Sequence, residues 1–404
     1  MRILLLAPHP YYQDRGTPIA VDLMLRGLSG RGYAVDVLTY AEGSTPAYPG
    51  VRIHRIPALP GLRHVRPGLS GKKLLCDFLM LCRLPGLVRR CQPQIIHAVE
   101  EGVFLALLVR KLTRIPYVYD MDSSMAEQIV QQHRWLRPLA WCLSACERAA
   151  ARQALAVLPV CEALAATARG YGARRVFVLK DVSTLSAYGG AGPALQLREE
   201  LGITGVCFMY VGNLEHYQGI DLLLASFARF RQAGGEGAVV VVGGNAESIA
   251  GYRRRATQLG VGGAVHFLGP RPVAALGSLV ACADVLVSPR TTGANTPMKI
   301  YAYLDSGRAL LATDLPTHTQ VLTPALALLA PPEPEAFAAA MLRLAREPAL
   351  RADLAARAKA YAQAEHSLTA YNRTLNRIWD EIEQALGLPA ASPAGSGGTD
   401  ANRR

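Results

Sequence analysis

The residues best suited to chemistry stand in two kinds of stretch. In "RTTGANTPMK", 290–299, Arg290 and Lys299 bracket a run of small polar residues that includes Gly293, Asn295 and Thr296. Loop amides at a helix start, backed by two cations, are what an anion needs. In "YVYDMDSS", from 117, an apolar run ends in Asp120 and Asp122, carboxylates that can accept hydrogen bonds from hydroxyl groups or cap a following helix. His97 and Glu101, in "IIHAVEEG", close another apolar run in the same way.

The Thr-Pro step occurs twice. "RGTPIAVDLML" at 15–25 and "ANTPMKIYAYL" at 294–304 each put a loop, a Thr and a Pro ahead of an amphipathic run. Thr17 and Thr296 read as N-caps, and Pro at the first helical position has no N–H to leave unpaired. Gly16, lacking a side chain, lets a phosphate approach the Thr17 amide. Two such helix starts in corresponding places point to a ligand that carries phosphate.

Short Val-, Ile- and Leu-rich runs must position these residues. They are "RILLLAP", "VDVLTY", "QIIHAV", "YVYD", "ALAVLPV" and "RVFVLKD", then "VCFMYVG", "AVVVVGG", "AVHFLG", "DVLVSP", "RALLAT" and "ALALLA". Near-continuous apolar strands are buried on both faces, the mark of a parallel sheet between helices. Helical periodicity alternates with them at 18–31, 101–113, 138–152, 219–233, 247–259, 271–282 and 296–306. The predicted fold is α/β: two doubly wound, Rossmann-like domains. The boundaries fall at 1–183, a Gly/Pro-rich linker 184–203, a second domain 204–350, C-terminal helices 351–387 packing back on the first domain, and a disordered tail 388–404. Ligands of such folds bind beyond the carboxyl ends of the strands, so the expected site is a cleft between the two halves.

Charge divides unevenly: residues 1–180 carry 24 Lys+Arg against 12 Asp+Glu, and the remainder balances at 19 against 19. The stretch 63–91 interleaves Arg63, Arg66, Lys72, Lys73, Arg83, Arg89 and Arg90 with Leu, Phe and Met, as an interfacial helix on an anionic membrane does, and as a packed helix with a basic outer face also does. No nucleic-acid motif accompanies the basic excess. The eight cysteines form no CxxC pair, and Cys142 and Cys146 read as buried free thiols of a reducing cytosol. No apolar run reaches the roughly 18 residues of a membrane span, and "MRILLLAP" is too short and too early for a signal peptide. The expected location is cytoplasmic, peripheral at the inner membrane face.

Four segments together resemble a retaining family-4 glycosyltransferase of the GT-B fold: "RGTPIAVDLMLRGLSGRGYAVDVLTY", "YVGNLEHYQGIDLLLASF", "VHFLGPRPVAALGSLVACADVLVSP" and "TPMKIYAYLDSGRALLATDLPTHTQVL". The resemblance implies transfer of a hexose-type sugar from a nucleotide-diphosphate donor, with retention, to a hydroxyl of a glycan or lipid-linked acceptor. With the reading of the residues above, donor contacts are expected at Gly16, Thr17, Asn213, Gln218, Gly269, Gly293, Asn295, Thr296 and Lys299, sugar or acceptor contacts at His97 and Glu101, and catalytic roles for Asp120, Asp122, Arg290 and Lys299. No cofactor is expected beyond the sugar nucleotide itself. No metal is expected either, since "DMD" at 120–122 is not placed as a metal clamp. The sequence departs from the family where an Arg and a Lys usually grip the diphosphate, which here read Asn213 and Gln218. Two glutamates with seven residues between them are replaced by Ala294 and Ala302. These losses leave a second reading, a GT-B protein that binds a sugar nucleotide or a partner transferase without turnover.

Overall fold

The computed structural model describes residues 1–13, 16–60, 62, 65, 70–125, 140–185, 196–293 and 296–388. The chain divides into two compact units, Met1–Leu179 with Asn372–Arg404, and Lys180–Tyr371. The linker expected at 184–203 thus belongs to the second unit where it is described, with Leu197 buried in its core; its residues 186–195, like the tail from 389, lie outside the described residues.

The first unit runs β1 (Arg2–Ala7), α1 (Gly16–Gly30), β2 (Ala34–Thr39), β3 (Val51–Arg55), α2 (Gly71–Cys91), β4 (Ile95–Val99), α3 (Gly102–Thr113), β5 (Tyr117–Met121), α4 (Ala140–Gln153), β6 (Ala156–Pro159) and α5 (Glu162–Gly170). Its six strands are parallel, in the order β3-β2-β1-β4-β5-β6. One core layer joins Leu4, Leu6 and Ile96 of the sheet to Met80 and Leu84 of α2, Val103 and Ala106 of α3, and Ala150 and Ala151 of α4.

The second unit runs α6 (Leu197–Glu200), β7 (Val206–Val211), α7 (Ile220–Gln232), β8 (Gly237–Val242), α8 (Ala246–Gln258), β9 (Val265–Gly269), α9 (Leu276–Ala281), β10 (Val285–Ser288), α10 (Lys299–Asp305), β11 (Ala309–Thr313), α11 (Pro316–Thr319), β12 (Leu328–Ala330), α12 (Pro334–Arg346) and α13 (Pro348–Glu365). Its strands are also parallel, ordered β12-β11-β10-β7-β8-β9. A last helix, α14 (Leu368–Ala385), belongs to the first unit from Asn372 onward. There it lies so close to α1 that a Cβ on Gly27 would stand 2.1 Å from Leu375 Cδ2. Trp379 is fully buried beside Tyr33, and Arg31 reaches Asp380 at 2.6 Å and Glu383 at 3.3 Å.

Five expectations change here. Strand β3 escaped the apolar-run criterion because this edge strand is only partly buried and reads "VRIHR". "RVFVLKD" makes a single bridge, Val157 with Val176, instead of a strand. Of the C-terminal helices only α14 joins the first unit; α13 packs on α10 and β11 of the second. The helix expected over 271–282 shortens to a 3₁₀ turn, Val273–Ala275, and α9. Cys142 and Cys146 are exposed, because α4 turns its small residues Ala150 and Ala151 inward.

Candidate functional site

In the second unit, β7 and β10 are neighbours, and the loops at their carboxyl ends meet backbone to backbone. Gly219 has φ +75° and a Cβ there would lie 1.8 Å from the Pro289 carbonyl oxygen, so only glycine lets the two loops approach. The Thr291 amide donates to the Tyr217 carbonyl at 3.0 Å. This contact sets adjacent residues of one loop against two cations. Lys299 Nζ donates to Gln218 Oε1 at 3.0 Å and stands 3.9 Å from the Tyr210 ring centroid. The Arg290 guanidinium carbon lies 5.0 Å from the Tyr217 ring centroid, and its Nη1 donates to Thr317 Oγ1 at 3.1 Å. Thr313 Oγ1 donates to the Arg290 carbonyl at 2.6 Å.

Among the described residues no carboxylate pairs with Lys299. Burial first, and the Arg290 charge second, hold its pKa well below the usual lysine range. Burial also lowers Arg290. Two cations held at a strand end by an amide, a hydroxyl and aromatic faces are matched to an anion that restores both charges. Behind them His318 is fully buried. Its Nδ1 donates to the Thr313 carbonyl at 2.9 Å, which leaves Nε2 to accept from Ser288 Oγ at 2.9 Å. Burial pushes its pKa down to about 4, so it stays neutral at pH 7 and adds no further charge.

The expected Thr296 cap does not form. Helix α10 begins at Lys299, with Met298 at the cap position and no side-chain cap bond. Thr296 is buried, and its hydroxyl has no hydrogen-bond partner among the described residues. Pro297 lies ahead of the helix instead of opening it, which makes Lys299 its first residue. Gly293 backs onto the Arg290 guanidinium, which a Cβ would approach to 2.8 Å. Asn295 and Ala294 lie outside the described residues, and Ala302 is fully buried in α10. Asn213 is exposed, its carbonyl accepting from Tyr210 Oη at 2.6 Å. Gly269 ends the edge strand β9, where its carbonyl accepts from the Gly243 amide at 2.8 Å, two strands from β7 and apart from the cations. Sequence reasoning missed Tyr210, Tyr217, Thr317 and His318; the only signal was the polar "PTHTQ" just past β11.

The first unit gathers acids instead. His97 Nε2 lies 2.9 Å from Asp120 Oδ2 across the β4–β5 pair. His97 is fully buried and stacked on Trp379 at 6.0 Å, so it positions Asp120 and has no exposed surface for a ligand. Asp122 follows the last residue of β5 and is half-buried. Glu101 pairs with Lys73 of α2. Beside it stand two acids that sequence reasoning passed over. Burial, with the Glu101 charge second, pushes Glu100 up to about 7 despite Lys73 and the Ser123 hydroxyl. Burial likewise raises Asp77, which accepts from Tyr40 Oη at 2.5 Å, to about 6. Gly16 opens α1, with Thr17 second in the helix instead of capping it, and a Cβ on Gly16 would meet nothing within 4 Å.

On α2, Leu74, Leu75 and Phe78 are exposed alongside Lys72, Arg83, Arg89 and Arg90. Lys73 is not on that face, since Glu101 draws it inward, and Arg63 and Arg66 lie outside the described residues. No helix among the described residues is long and apolar enough to cross a membrane. Asp36, His54 and Cys91 bring metal-ligand atoms within 4.8 Å of one another. The Asp36 carboxylate there already accepts from His54 at 2.7 Å and Arg52 at 3.0 Å. Burial and then Asp36 push the Cys91 thiol up to about 11, so it keeps its proton.

Comparison with known proteins bears on both units. A glycosyl transferase 4-like domain matches residues 15–179, and the family described as glycosyl transferases group 1 matches residues 197–361. No curated protein sequence matches the chain. Among solved structures, the sucrose-phosphate synthase of Thermosynechococcus elongatus is similar with a TM-score of 0.77 at 18% identity, over 95% of this chain and 99% of that one. Anabaena HepE in complex with UDP-glucose gives 0.72 at 17% identity, over 94% and 100%. WaaG, a glycosyltransferase involved in lipopolysaccharide biosynthesis, gives 0.68 at 16% identity, over 93% and 99%.

Proposed function

The chain belongs to the family-4 type of GT-B glycosyltransferases, and from that premise we propose that it moves a hexose-type sugar, with retention, from a nucleotide-diphosphate donor to a hydroxyl of a glycan or lipid-linked acceptor. The observation that carries this reading is the pair of cations at the carboxyl ends of β7 and β10. Lys299 and Arg290 are held by Gln218, Tyr210, Tyr217 and Thr317, with burial working against both charges. A diphosphate laid there restores those charges, and the negative charge that grows on the leaving oxygen strengthens the contact as the sugar departs. The unpartnered Thr296 hydroxyl is the neutral donor to the same group. Asp120, steered by His97, accepts hydroxyls of the sugar or acceptor, and Asp122 and Glu101 line that side.

Gln218 and Asn213 replace cations with neutral groups, and Ala302 removes a carboxylate, so fewer groups grip the donor than in the family pattern. That observation favours a second reading, donor binding without turnover. The exposed apolar and basic face of α2 supports peripheral contact with an anionic membrane, where a lipid-linked acceptor resides. Calorimetric titration with UDP- and GDP-sugars, followed by a product assay on a panel of acceptors, tests both readings. Binding with transfer supports the first; binding alone supports the second; no binding of any sugar nucleotide removes both.

A further inference from the structure

The first unit has a second concentration of positive charge, at the end of its sheet opposite to Asp120. A cavity of about 520 Å³ opens near the amino ends of β5 and β6. Its lining includes Arg110 from the last turns of α3, Arg148 and Arg152 from α4, and Arg174 and Arg175 from the segment after α5. Among the described residues Gln153 is the other polar side chain there, and no carboxylate lines the cavity. Among the described residues none of these five arginines makes an ion pair. The nearest acid on α4, Glu147, is fully buried on the inward face and bonded to the Met125 amide, Ser124 and Tyr171.

Two of the five have a visible anchor. The Arg175 carbonyl accepts from the Val157 amide at 2.9 Å, which ties that segment to β6, and the Arg148 guanidinium lies 5.7 Å from the Tyr171 ring centroid. Like charges around one hollow repel, and their common preference is an anion with several oxygens. Guanidinium forks match phosphate geometry with paired hydrogen bonds. The volume falls in the roughly 300–1,000 Å³ range of ordinary ligand pockets. Trp141, 74% exposed, lies one helical turn before Ala145 of the lining, at the end of the stripe that continues through Arg148 and Arg152.

We propose that this cavity binds a phosphate-bearing ligand, separate from the nucleotide-sugar site. It does not rest on the proposed reaction. The shared chemistry is a phosphate group, carried either by an acidic phospholipid, whose interface an exposed Trp suits, or by a free phosphorylated molecule. The test compares the full chain with the triple variant Arg148→Gln, Arg152→Gln, Arg174→Gln, all exposed positions, with thermal unfolding and UDP titration as controls for folding and for the donor site. Pyrophosphate is titrated by calorimetry with UDP present at saturation to occupy the Lys299–Arg290 site, and vesicles of phosphatidylglycerol or of phosphatidylcholine alone are co-sedimented.

The expected result is that the triple variant binds pyrophosphate or phosphatidylglycerol vesicles at least about tenfold more weakly, with UDP binding unchanged. Loss toward pyrophosphate alone identifies a free phosphorylated ligand; loss toward phosphatidylglycerol vesicles alone identifies a lipid headgroup. A folded triple variant that binds both probes like the wild type overturns the proposal, as does a wild-type chain that binds neither. Vesicle binding that falls only when Leu74 and Phe78 of α2 are changed to Ser, with pyrophosphate ignored by every form, also overturns it.

Discussion

The two units are wound alike, yet the carboxyl ends of their strands carry opposite charge. In the first, Asp77, Glu100 and Glu101 surround Lys73, with Asp120 acting on Glu100 from beyond, and burial raises Glu100 and Asp77 toward neutrality. In the second, Lys299 and Arg290 stand against neutral partners and burial lowers both. Fold alone does not decide what a strand end binds; the side chains in its loops do. Here one unit offers hydrogen-bond acceptors at its strand ends and the other offers cations.

The largest effect that breaks this contrast comes from Gly219→Ala. Its Cβ collides with the Pro289 carbonyl at a positive φ, so the loops that hold Gln218 and Arg290 separate. Destabilisation by several kcal/mol, on the order of 3 or more, is expected, with sugar-nucleotide binding abolished; chemical denaturation and calorimetry measure the two. Unchanged stability would mean the loops do not pack as described. Next comes Lys299→Ala, which removes a charge-assisted contact worth about 1.5–3 kcal/mol. UDP affinity is expected to fall roughly 10- to 150-fold with little change in melting temperature. Asp120→Asn on the acidic side is expected to lower turnover about tenfold or more while UDP affinity holds, because the anion contacts lie in the other unit.

Proton linkage sharpens the comparison. An anion beside Lys299 raises its lowered pKa, so UDP binding takes up protons at pH values between the free and bound pKa, and affinity declines as pH rises through that window. Calorimetry in buffers of different ionisation enthalpy reads the uptake; zero uptake at every pH removes Lys299 from the site. His318 acts on stability. Its pKa is near 4 folded and 6.5 unfolded, so its contribution is intact above pH 6.5 and is lost as pH falls toward 4, about 3 kcal/mol at most. Glu100 has the opposite sign: raised to about 7, it favours folding below the ordinary glutamate value of 4.5, and that contribution is lost as pH climbs through 7. Hydrogen exchange, corrected for intrinsic rates, is expected to show the second unit loosening on the acid side and the first on the alkaline side, the smallest of these effects.

All six strands of the second unit are legible as apolar runs: the central four are buried on both faces, and the part-buried edge strands β9 and β12 are still apolar in sequence. In the first unit, half-buried β3 is hidden and the Val176 segment reads as a strand it does not form. Lys299 and Arg290 are legible from their place around the Thr-Pro step and Gln218 from the family resemblance, and the structure brings the three together. Thr296 and Thr17 were misjudged because a Thr-Pro pair marks a helix start without fixing on which side of the pair the helix begins: α1 opens before it and α10 after it. Tyr210, Tyr217 and His318 were out of reach, since an aromatic face under a cation and a neutral buried imidazole depend on contacts between segments far apart in the chain.

The first unit is assembled from stretches on either side of the second, with Leu375 and Trp379 of α14 filling the space beside α1. On the ribosome, at about 5–20 residues per second, the segment ending at Leu179 is made well before Asn372 emerges. For roughly ten to forty seconds of synthesis the N-terminal sheet has an uncovered helix groove. The C-terminal segment can finish folding on arrival, but the domain that starts first must wait to be completed last. A premature stop in that final stretch would therefore damage the opening half of the molecule more than the half where the break occurs.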